Sequence, residues 1–436
     1  MRLAKQMLKR ILDLLGILDW CRRNILWTLM RRVAVRNYER HIARIKKQKT
    51  IRVLFLVSEN SKWSAQSLYD ALAADGRFYP FIVISYYLAR ATQSPQERKD
   101  EYEHNRRFFE SRGMRVVDGY DFEKYEDIDL AAFSPDIVFY QQPWGLPPAH
   151  EVFHVSRFAL TCYVPYGFQL ANLGDIHYHD LFQRLIWRTF TFSNAHKDLF
   201  KKYAPEKDAN VEAAGYPKLD VYLDDKLING DGIWSLSKNT APEVKRIIWA
   251  PHYAFAAPAY ATFLWNYKFL LEYARNHPAT DWIVKPHPLL KFALKKILPV
   301  EEVQEYFLQW QALPNAKVYE LGDYFDIMRT SDAMVTDSCS FLAEYLPTGK
   351  PILHLISPDS VGFNEIGTKI VKDFYKIHDT NELTQLIERV IVAGDDYLRE
   401  DRRKALSLLG RPGLHSGKEI MSFLADILTD LVQPHA

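Results

Sequence analysis

The sequence predicts an α/β protein of two doubly wound, Rossmann-like domains that face a cleft. Short apolar runs alternate with helical patterns along most of the 436 residues, which is typical of parallel sheets covered by helices on both faces. The alternation stops in a polar stretch near the middle of the chain and then starts again. A chain of this length also suits two cores better than one.

The composition is that of a globular protein. Hydrophobic residues make up 48% and charged residues 25% of the chain, which excludes extensive disorder. The cysteines Cys21, Cys162 and Cys339 are far apart and have no metal-ligand spacing. We therefore expect free thiols in a reducing compartment.

Residues 1–50 form a basic segment. They contain fourteen lysines and arginines against three acidic residues, although the whole chain has a net charge of only +2. Apolar residues recur at helical intervals between Leu3 and Leu29, and Trp20 and Trp27 are suited to headgroup depth. Charges interrupt this pattern before it reaches the roughly 20 apolar residues of a membrane span, and no signal-peptide cleavage site follows.

We expect this segment to be an amphipathic helical region that binds an anionic membrane surface and not nucleic acid. The protein would then be peripheral, at the cytoplasmic face of the cell membrane. The alternative is a helix that packs on the body of the protein with its charges in solvent.

Continuous apolar runs predict the buried strands of the first domain. A helical pattern over 65–74 separates the first two of them. The predicted strands of this domain are 51–57, 81–84, 115–117, 136–140, 161–164 and 189–192.

Turn-forming and polar residues over 224–243 predict the linker between the domains. After the linker, strands are predicted at 246–250, 281–284, 317–319, 333–336 and 351–355. The predicted division is 1–50 for the basic segment, 51–235 for the first domain, 236–395 for the second and 396–436 for C-terminal helices.

Polar residues follow three predicted strands of the second domain. Pro251-His252 follows the first strand, Lys285-Pro-His-Pro288 the second, and Thr336-Asp-Ser-Cys-Ser340 a later one. The last group opens a predicted helix, whose N-terminus with its free N–H groups and hydroxyls is suited to a diphosphate. The alternatives are that Ser338 or Ser340 is a simple helix cap and that each histidine is structural.

Other signatures are absent or weak. The first strand is not followed by a Gly-x-Gly-x-x-Gly loop, which speaks against a nicotinamide or flavin enzyme. Walker and Gly-x-Ser-x-Gly motifs are also absent. Asp127-Ile-Asp129 has the form of a metal-binding Asp-x-Asp, but we interpret it as a helix cap. We predict no metal and no cofactor.

These motifs together resemble the CDP-glycerol glycerophosphotransferase family of teichoic-acid and capsule synthesis. The resemblance runs from about residue 51 to residue 390, and its strongest part is the set of three groups in the second domain. Three further motifs in the first half also fit the family: Ser58-Glu-Asn-Ser-Lys-Trp63, Val164-Pro-Tyr-Gly167 and Gly215-Tyr-Pro-Lys-Leu-Asp220.

The resemblance implies a GT-B fold with an acceptor-binding first domain and a second domain that binds the nucleotide donor. It assigns contacts with the donor phosphates to His252, Lys285, His287, Thr336, Asp337, Ser338 and Ser340. One departure concerns the base. Polymerases of the family carry a Trp-His-Gly-Thr segment whose His is thought to act as the base, and here Tyr166 stands at that position.

A tyrosine with an ordinary pKa near 10 is a poor base at neutral pH. Another histidine, His177, His179 or His252, would then take the proton, or else the acceptor and chemistry differ. We favour His252 as a stabiliser of phosphate charge and His179 as the base.

The predicted function is transfer of a glycerol-phosphate-like group from a CDP-activated alcohol to a hydroxyl of a surface polymer or its lipid-linked acceptor, with release of CMP. One alternative is a GT-B glycosyltransferase that uses a nucleotide-sugar in surface polysaccharide synthesis. A second is a non-catalytic subunit of a surface-polymer complex.

Overall fold

The chain divides into two compact units. The computed structural model describes residues 20–85, 94–204, 206, 208–223, 231–234, 244–320, 324–410 and 415–429. The first unit comprises 1–166, 174–218 and 415–436, and the second comprises 167–173 and 219–414. The chain thus leaves the first unit at Lys218, earlier than the predicted boundary at 235. Most of the predicted linker 224–243 lies outside the described residues.

The first unit contains a seven-stranded sheet in the order β3-β2-β1-β6-β7-β8-β9, in which every described pair is parallel. Its central strands are largely apolar and buried because helices cover both faces. The strands, with the separate antiparallel pair β4–β5, are β1 (Ile51–Val57), β2 (Phe78–Ile84), β3 (Val116–Asp118), β4 (Tyr120–Asp121), β5 (Glu126–Asp127), β6 (Ile137–Tyr140), β7 (Leu160–Tyr163), β8 (Arg188–Thr191) and β9 (Val211–Ala213).

Seven α-helices accompany these strands within the described residues before Lys218. Pro95 begins the longest helix between strands, and Ser94 and Glu97 form a capping box at its start. The helices are α1 (Trp27–Ile45), α2 (Gln66–Ala74), α3 (Pro95–Glu110), α4 (Val152–Val155), α5 (Gly174–Tyr178), α6 (Leu181–Leu185) and α7 (Asn194–Tyr203).

Helix α1 packs on the first unit. It buries Trp27, Ala34, Tyr38 and Ile45, and the Tyr38 hydroxyl bonds to Thr161 Oγ1 at 2.6 Å. Over 27–45 the structure therefore fits the alternative of a packed helix. The apolar residues predicted between Leu3 and Leu18 lie outside the described residues. In the part of the chain that is described, no helix has both the length and the apolar character to cross a bilayer.

The second unit contains a six-stranded parallel sheet in the order β12-β11-β10-β13-β14-β15. Its helices cover an aromatic core in which Trp249, Trp282 and Trp310 are fully buried. The strands are β10 (Lys245–Ala250), β11 (Thr280–Val284), β12 (Ala316–Val318), β13 (Ala333–Thr336), β14 (Ile352–Leu355) and β15 (Tyr375–Ile377). The helices are α8 (Asp231–Trp234), α9 (Phe263–Asn276), α10 (Leu290–Leu294), α11 (Val300–Ala312), α12 (Phe325–Thr330), α13 (Cys339–Tyr345), α14 (Glu365–Val371), α15 (Thr380–Leu386) and α16 (Arg399–Ala405).

The last helix, α17 (Ser416–Leu428), belongs to the first unit and packs on α2. Gly417 permits this close approach, because a Cβ there would lie 2.4 Å from the backbone carbon of Ser67. The C-terminal helices predicted at 396–436 are therefore split between the two units.

Candidate functional site

The carboxyl ends of three strands meet in the second unit at a topological switch point. Strand β10 lies between β11 and β13, and the chain runs outward from it to β11 and β12 before it returns to β13. Ligands of open α/β sheets bind at such a reversal. The groups that follow these three strands, at 251–252, 285–288 and 336–340, are thus brought to one edge of one sheet.

The segment after β11 is held against the end of β10. The backbone N–H of Lys285 donates to the Trp249 carbonyl at 2.8 Å, and that of His287 donates to the Pro251 carbonyl at 3.1 Å. This pairing places the His252 and His287 rings 5.2 Å apart. The Tyr253 ring packs on His287 at 4.3 Å.

Both imidazoles accept a backbone hydrogen bond through Nδ1. Ala254 N donates to His252 Nδ1 at 3.2 Å, and Leu289 N donates to His287 Nδ1 at 3.1 Å. In the neutral ring the proton is therefore on Nε2. Burial lowers the pKa of His252 to about 4, so this side chain is a neutral N–H donor at pH 7.

Asp337 is engaged by the protein itself. Its carboxylate accepts hydrogen bonds from His252 N and Thr262 N at 2.6 Å and from Thr262 Oγ1 at 2.7 Å. Burial raises the pKa of Asp337 to about 6, against the opposing effect of these hydrogen bonds. Among the residues predicted to bind phosphate, Asp337 thus holds the loop after β10 in place.

Thr336 and Ser338 of the third group differ in whether their side-chain hydroxyls are engaged by the protein. Thr336 is fully buried, and its Oγ1 donates to the Ala250 carbonyl at 2.6 Å and accepts from Ser338 N at 3.0 Å. Ser338 precedes α13 at the cap position, but its side chain accepts no hydrogen bond from the described helix. The structure therefore does not show the simple side-chain cap considered as the alternative for Ser338.

Lys285 is buried beside two aromatic rings. Its Nζ donates to the Glu320 carbonyl at 3.3 Å and lies 5.9 and 5.8 Å from the centres of the Tyr319 and Tyr324 rings. The ammonium group is thus held at the end of β11, where burial weakens the screening of its charge by solvent.

The two remaining predicted residues, Tyr166 and His179, belong to the first unit. His179 follows α5 and is partly exposed, and its Nδ1 lies 3.9 Å from Asp175 Oδ1. Burial lowers the pKa of the neighbouring His177 to about 4, which makes His177 a weak base at neutral pH. Asp129 caps the short helix that follows it through Ala131 N, as interpreted from the sequence.

Thr262 and Tyr253 were not predicted from the sequence. Tyr253 directly follows His252, so its position in the same turn was a usable signal. Thr262 meets Asp337 across 75 positions of the chain, and no local pattern indicates that contact.

Residues 187–378 match the sequence model of the family described as CDP-Glycerol:Poly(glycerophosphate) glycerophosphotransferase. This match confirms the predicted resemblance, and the range includes every predicted residue of the second-unit site. A search of curated protein sequences finds no match.

Solved structures with the same architecture confirm the predicted α/β fold of the GT-B type. A variant of the wall teichoic acid polymerase TagF, soaked with CDPG, is 11% identical with a TM-score of 0.55, over 93% of this chain and 98% of that one. A putative UDP-N-acetylglucosamine 2-epimerase from Listeria monocytogenes is 13% identical with a TM-score of 0.54, over 87% and 97% of the two chains. The UDP-GlcNAc 2-epimerase from Neisseria meningitidis is 13% identical with a TM-score of 0.53, over 86% and 99%. At such identities the similarity concerns the fold alone.

Proposed function

Because residues 187–378 carry the sequence pattern of the glycerophosphotransferase family, we propose that the protein transfers a glycerol-phosphate-like group from a CDP-activated alcohol. The acceptor is a hydroxyl of a surface polymer, such as a teichoic acid or capsule, or of its lipid-linked precursor. The observation that carries the proposal is the convergence of His252, His287 and the 336–340 segment at the switch point of the second sheet.

In the proposed reaction the acceptor oxygen attacks the phosphorus that bears the glycerol. The bond from that phosphorus to the bridging oxygen breaks, and CMP leaves with the bonding electrons while the acceptor proton passes to a base. Negative charge grows on the departing phosphate, so fixed donors there lower the barrier.

The second-unit residues are suited to stabilise this charge. His252 and His287 offer Nε2–H donors, Lys285 a buried ammonium, and Ser338 and Ser340 their hydroxyls. Loss of one such donor typically costs about 3 kcal/mol of transition-state stabilisation. In this proposal Thr336 and Asp337 position the loops, since their polar atoms are already engaged.

His179 is the proposed base. It is a histidine that retains exposure and a carboxylate neighbour, whereas burial leaves His177 with a pKa of about 4. His179→Ala should lower kcat about a hundredfold or more and leave donor affinity unchanged. A wild-type kcat in this variant would refute the assignment.

The experiment that tests the function is a donor panel with the full-length protein and a polyol phosphate acceptor. Release of CMP from CDP-glycerol is expected. Release of UDP or GDP from a nucleotide-sugar would instead support the glycosyltransferase alternative. If the protein neither binds nor turns over any of the donors, the result would support the alternative of a non-catalytic subunit.

We also propose peripheral attachment to the cytoplasmic face of an anionic membrane through the N-terminal segment. Trp20, Ile25 and Leu29 are each more than half exposed, and Arg22, Arg32 and Arg36 lie on the same stretch of chain. Exposed apolar side chains interspersed with basic ones are typical of helices that lie in the bilayer interface.

A further inference from the structure

Sequence motifs of the first unit that have no role in the donor site meet at Tyr166. Lys62, from the motif after β1, places its Nζ 5.5 Å from the centre of the Tyr166 ring. The carbonyl oxygen of Tyr166 accepts hydrogen bonds from the Tyr216 hydroxyl at 2.7 Å and from Lys218 Nζ at 3.3 Å. Both of these donors belong to the motif that begins at Gly215.

Trp144 lies on the solvent-exposed side of these residues. Trp144 is 37% exposed and packs edge-on against Tyr166, with 5.8 Å between the ring centres. Tyr166 and Lys62 are partly exposed beside it. The Tyr166 cluster is defined as Lys62, Trp144, Tyr166, Tyr216 and Lys218.

The cluster stands at the switch point of the first sheet. The order β2-β1-β6-β7 places β1 and β6 side by side where the chain reverses direction across the sheet. Lys62 lies in the loop after β1, and Trp144 lies in the loop after β6. This is the position at which an open α/β sheet binds its ligand.

The ammonium group of Lys62 is held by buried acceptors. Its Nζ donates to Glu59 Oε1 and to Gln142 Oε1, each at 2.7 Å, and these two side chains are only 5% and 2% exposed. The loop backbone is held as well, because Gln141 Oε1 accepts from Ser58 N and Gln141 Nε2 donates to the Glu59 carbonyl.

The ion pair between Lys62 and Glu59 is not well explained by a contribution to folding stability alone. Desolvation of a buried ion pair offsets most or all of its Coulomb attraction, so the fixed cation is better explained by a ligand. Lys62 and Lys218 place two ammonium groups in the cluster. Two partly exposed aromatic rings beside a cation suit the C–H surface and the phosphate of a polyol phosphate.

We propose that the Tyr166 cluster binds the phosphate-bearing polyol end of the acceptor. Lys62 contacts the phosphate, and Tyr166 and Trp144 contact the polyol. Tyr216 and Lys218 fix the Tyr166 backbone. This proposal rests on the proposed function, because it identifies the acceptor end as a polyol phosphate.

The test uses the full-length protein and glycerol 3-phosphate as the probe, with binding followed by saturation-transfer NMR and by acceptor kinetics. Lys62→Met is combined with Glu59→Gln so that no buried carboxylate loses its cation. This pair should weaken probe binding at least tenfold and raise the acceptor KM by a similar factor, while the affinity for CDP-glycerol stays at the wild-type value.

Lys124→Met combined with Asp121→Asn is the matched control. Lys124 also pairs with a carboxylate three residues earlier, at 2.9 Å, but in an exposed turn. Probe binding and KM should be unchanged in this variant. If the Lys62 variant does not fold, Trp144→Ala decides, since Trp144 lies outside the buried core at 37% exposure and its loss should weaken probe binding several-fold.

Probe binding at the wild-type level in the Lys62 or Trp144 variants would overturn the proposal. Failure of the proposed function has a different signature, namely that the wild-type protein releases no nucleotide from CDP-glycerol. Probe binding still tests the cluster in that case, because its measurement requires no turnover.

Discussion

The hydrogen bond between Thr262 and Asp337 gives the sharpest test of the second-unit site. Thr262→Val preserves the shape of the side chain and removes the hydroxyl that donates to Asp337 Oδ2 at 2.7 Å. A hydrogen bond to a charged group contributes about 1.5–3 kcal/mol, and one to a neutral group about 0.5–1.5 kcal/mol. The cost of the substitution therefore depends on the charge of Asp337.

Burial raises the pKa of Asp337 to about 6, so the carboxylate is charged at pH 7.5 and mostly protonated at pH 5. Removal of a donor raises this folded-state pKa further. The folded variant then binds its proton more tightly than the unfolded chain does, and stability is lost as pH rises through the folded pKa. The destabilisation should accordingly be about 1 kcal/mol greater at pH 7.5 than at pH 5.

Hydrogen exchange of the β10 amides measures this effect in the second unit alone. Because 1.4 kcal/mol is a factor of ten, Thr262→Val should lower protection about 10–100-fold at pH 7.5 and clearly less at pH 5.

Thr280→Val is the matched control for this measurement. Thr280 is equally buried, at 3% exposure, but its hydroxyl bonds only to the His277 carbonyl and to Trp282 Nε1, both of which are neutral. Its loss of protection should be the same at both pH values. A Thr262→Val effect that is equally independent of pH would refute the charged, buried state of Asp337.

Three further predictions concern the donor and the membrane. Ser338→Ala with Ser340→Ala should weaken CDP-glycerol binding about tenfold or more, measured by the ligand-induced thermal shift, while Ser360→Ala in a turn of the same unit should not. A bound diphosphate favours the imidazolium form of His252 and so raises its pKa from the value of about 4. Calorimetry should therefore show proton uptake on binding and a higher affinity as pH falls from 7 to 5.5. His252→Asn should reduce the proton uptake and the pH dependence of the affinity, and an unchanged pH dependence in this variant would count against the assignment. The full-length protein should bind anionic vesicles in co-sedimentation at low salt and release them at high salt. Deletion of residues 1–19 should weaken that binding, whereas deletion through residue 45 should also lower the melting temperature, because α1 buries Trp27, Tyr38 and Ile45.

The strands could be predicted from the sequence because parallel sheets buried on both faces require continuous apolar runs. The run Ile51–Val57 is almost wholly buried in β1, and 333–336 matches β13 to the residue. The order of motifs along the second half then placed His252, His287 and Ser338 at one edge of a sheet, since parallel strands share their carboxyl ends.

The contacts that complete the site could not be predicted in the same way. Asp337 carries the charge expected to matter, but its three donors come from the loop after β10 and from the start of α9. The return of α17 to the first unit likewise depends on Gly417, whose packing against Ser67 is a contact between residues about 350 positions apart. Local periodicity has no information about such pairs, because it describes one element at a time.

In both sheets a side chain at the switch point accepts hydrogen bonds from the loop after the first strand, but the side chain is an amide in one sheet and a carboxylate in the other. At a switch point the loop after the first strand has backbone N–H groups that no neighbouring strand accepts, and a buried N–H without a partner is costly. Gln141, directly after β6, accepts from Ser58 N and Glu59 N; Asp337, directly after β13, accepts from His252 N and Thr262 N.

The side-chain amide of Gln141 also donates to the Glu59 carbonyl at 2.6 Å, which a carboxylate cannot do. The carboxylate of Asp337 accepts from three donors at once, which an amide oxygen does less well. Burial raises the pKa of this carboxylate, however, and its charge opposes an anionic ligand. Asp337 is therefore better explained as the residue that holds His252 than as a phosphate ligand. Its equivalence to Gln141 supports this, because Gln141 likewise holds the loop from which Lys62 extends.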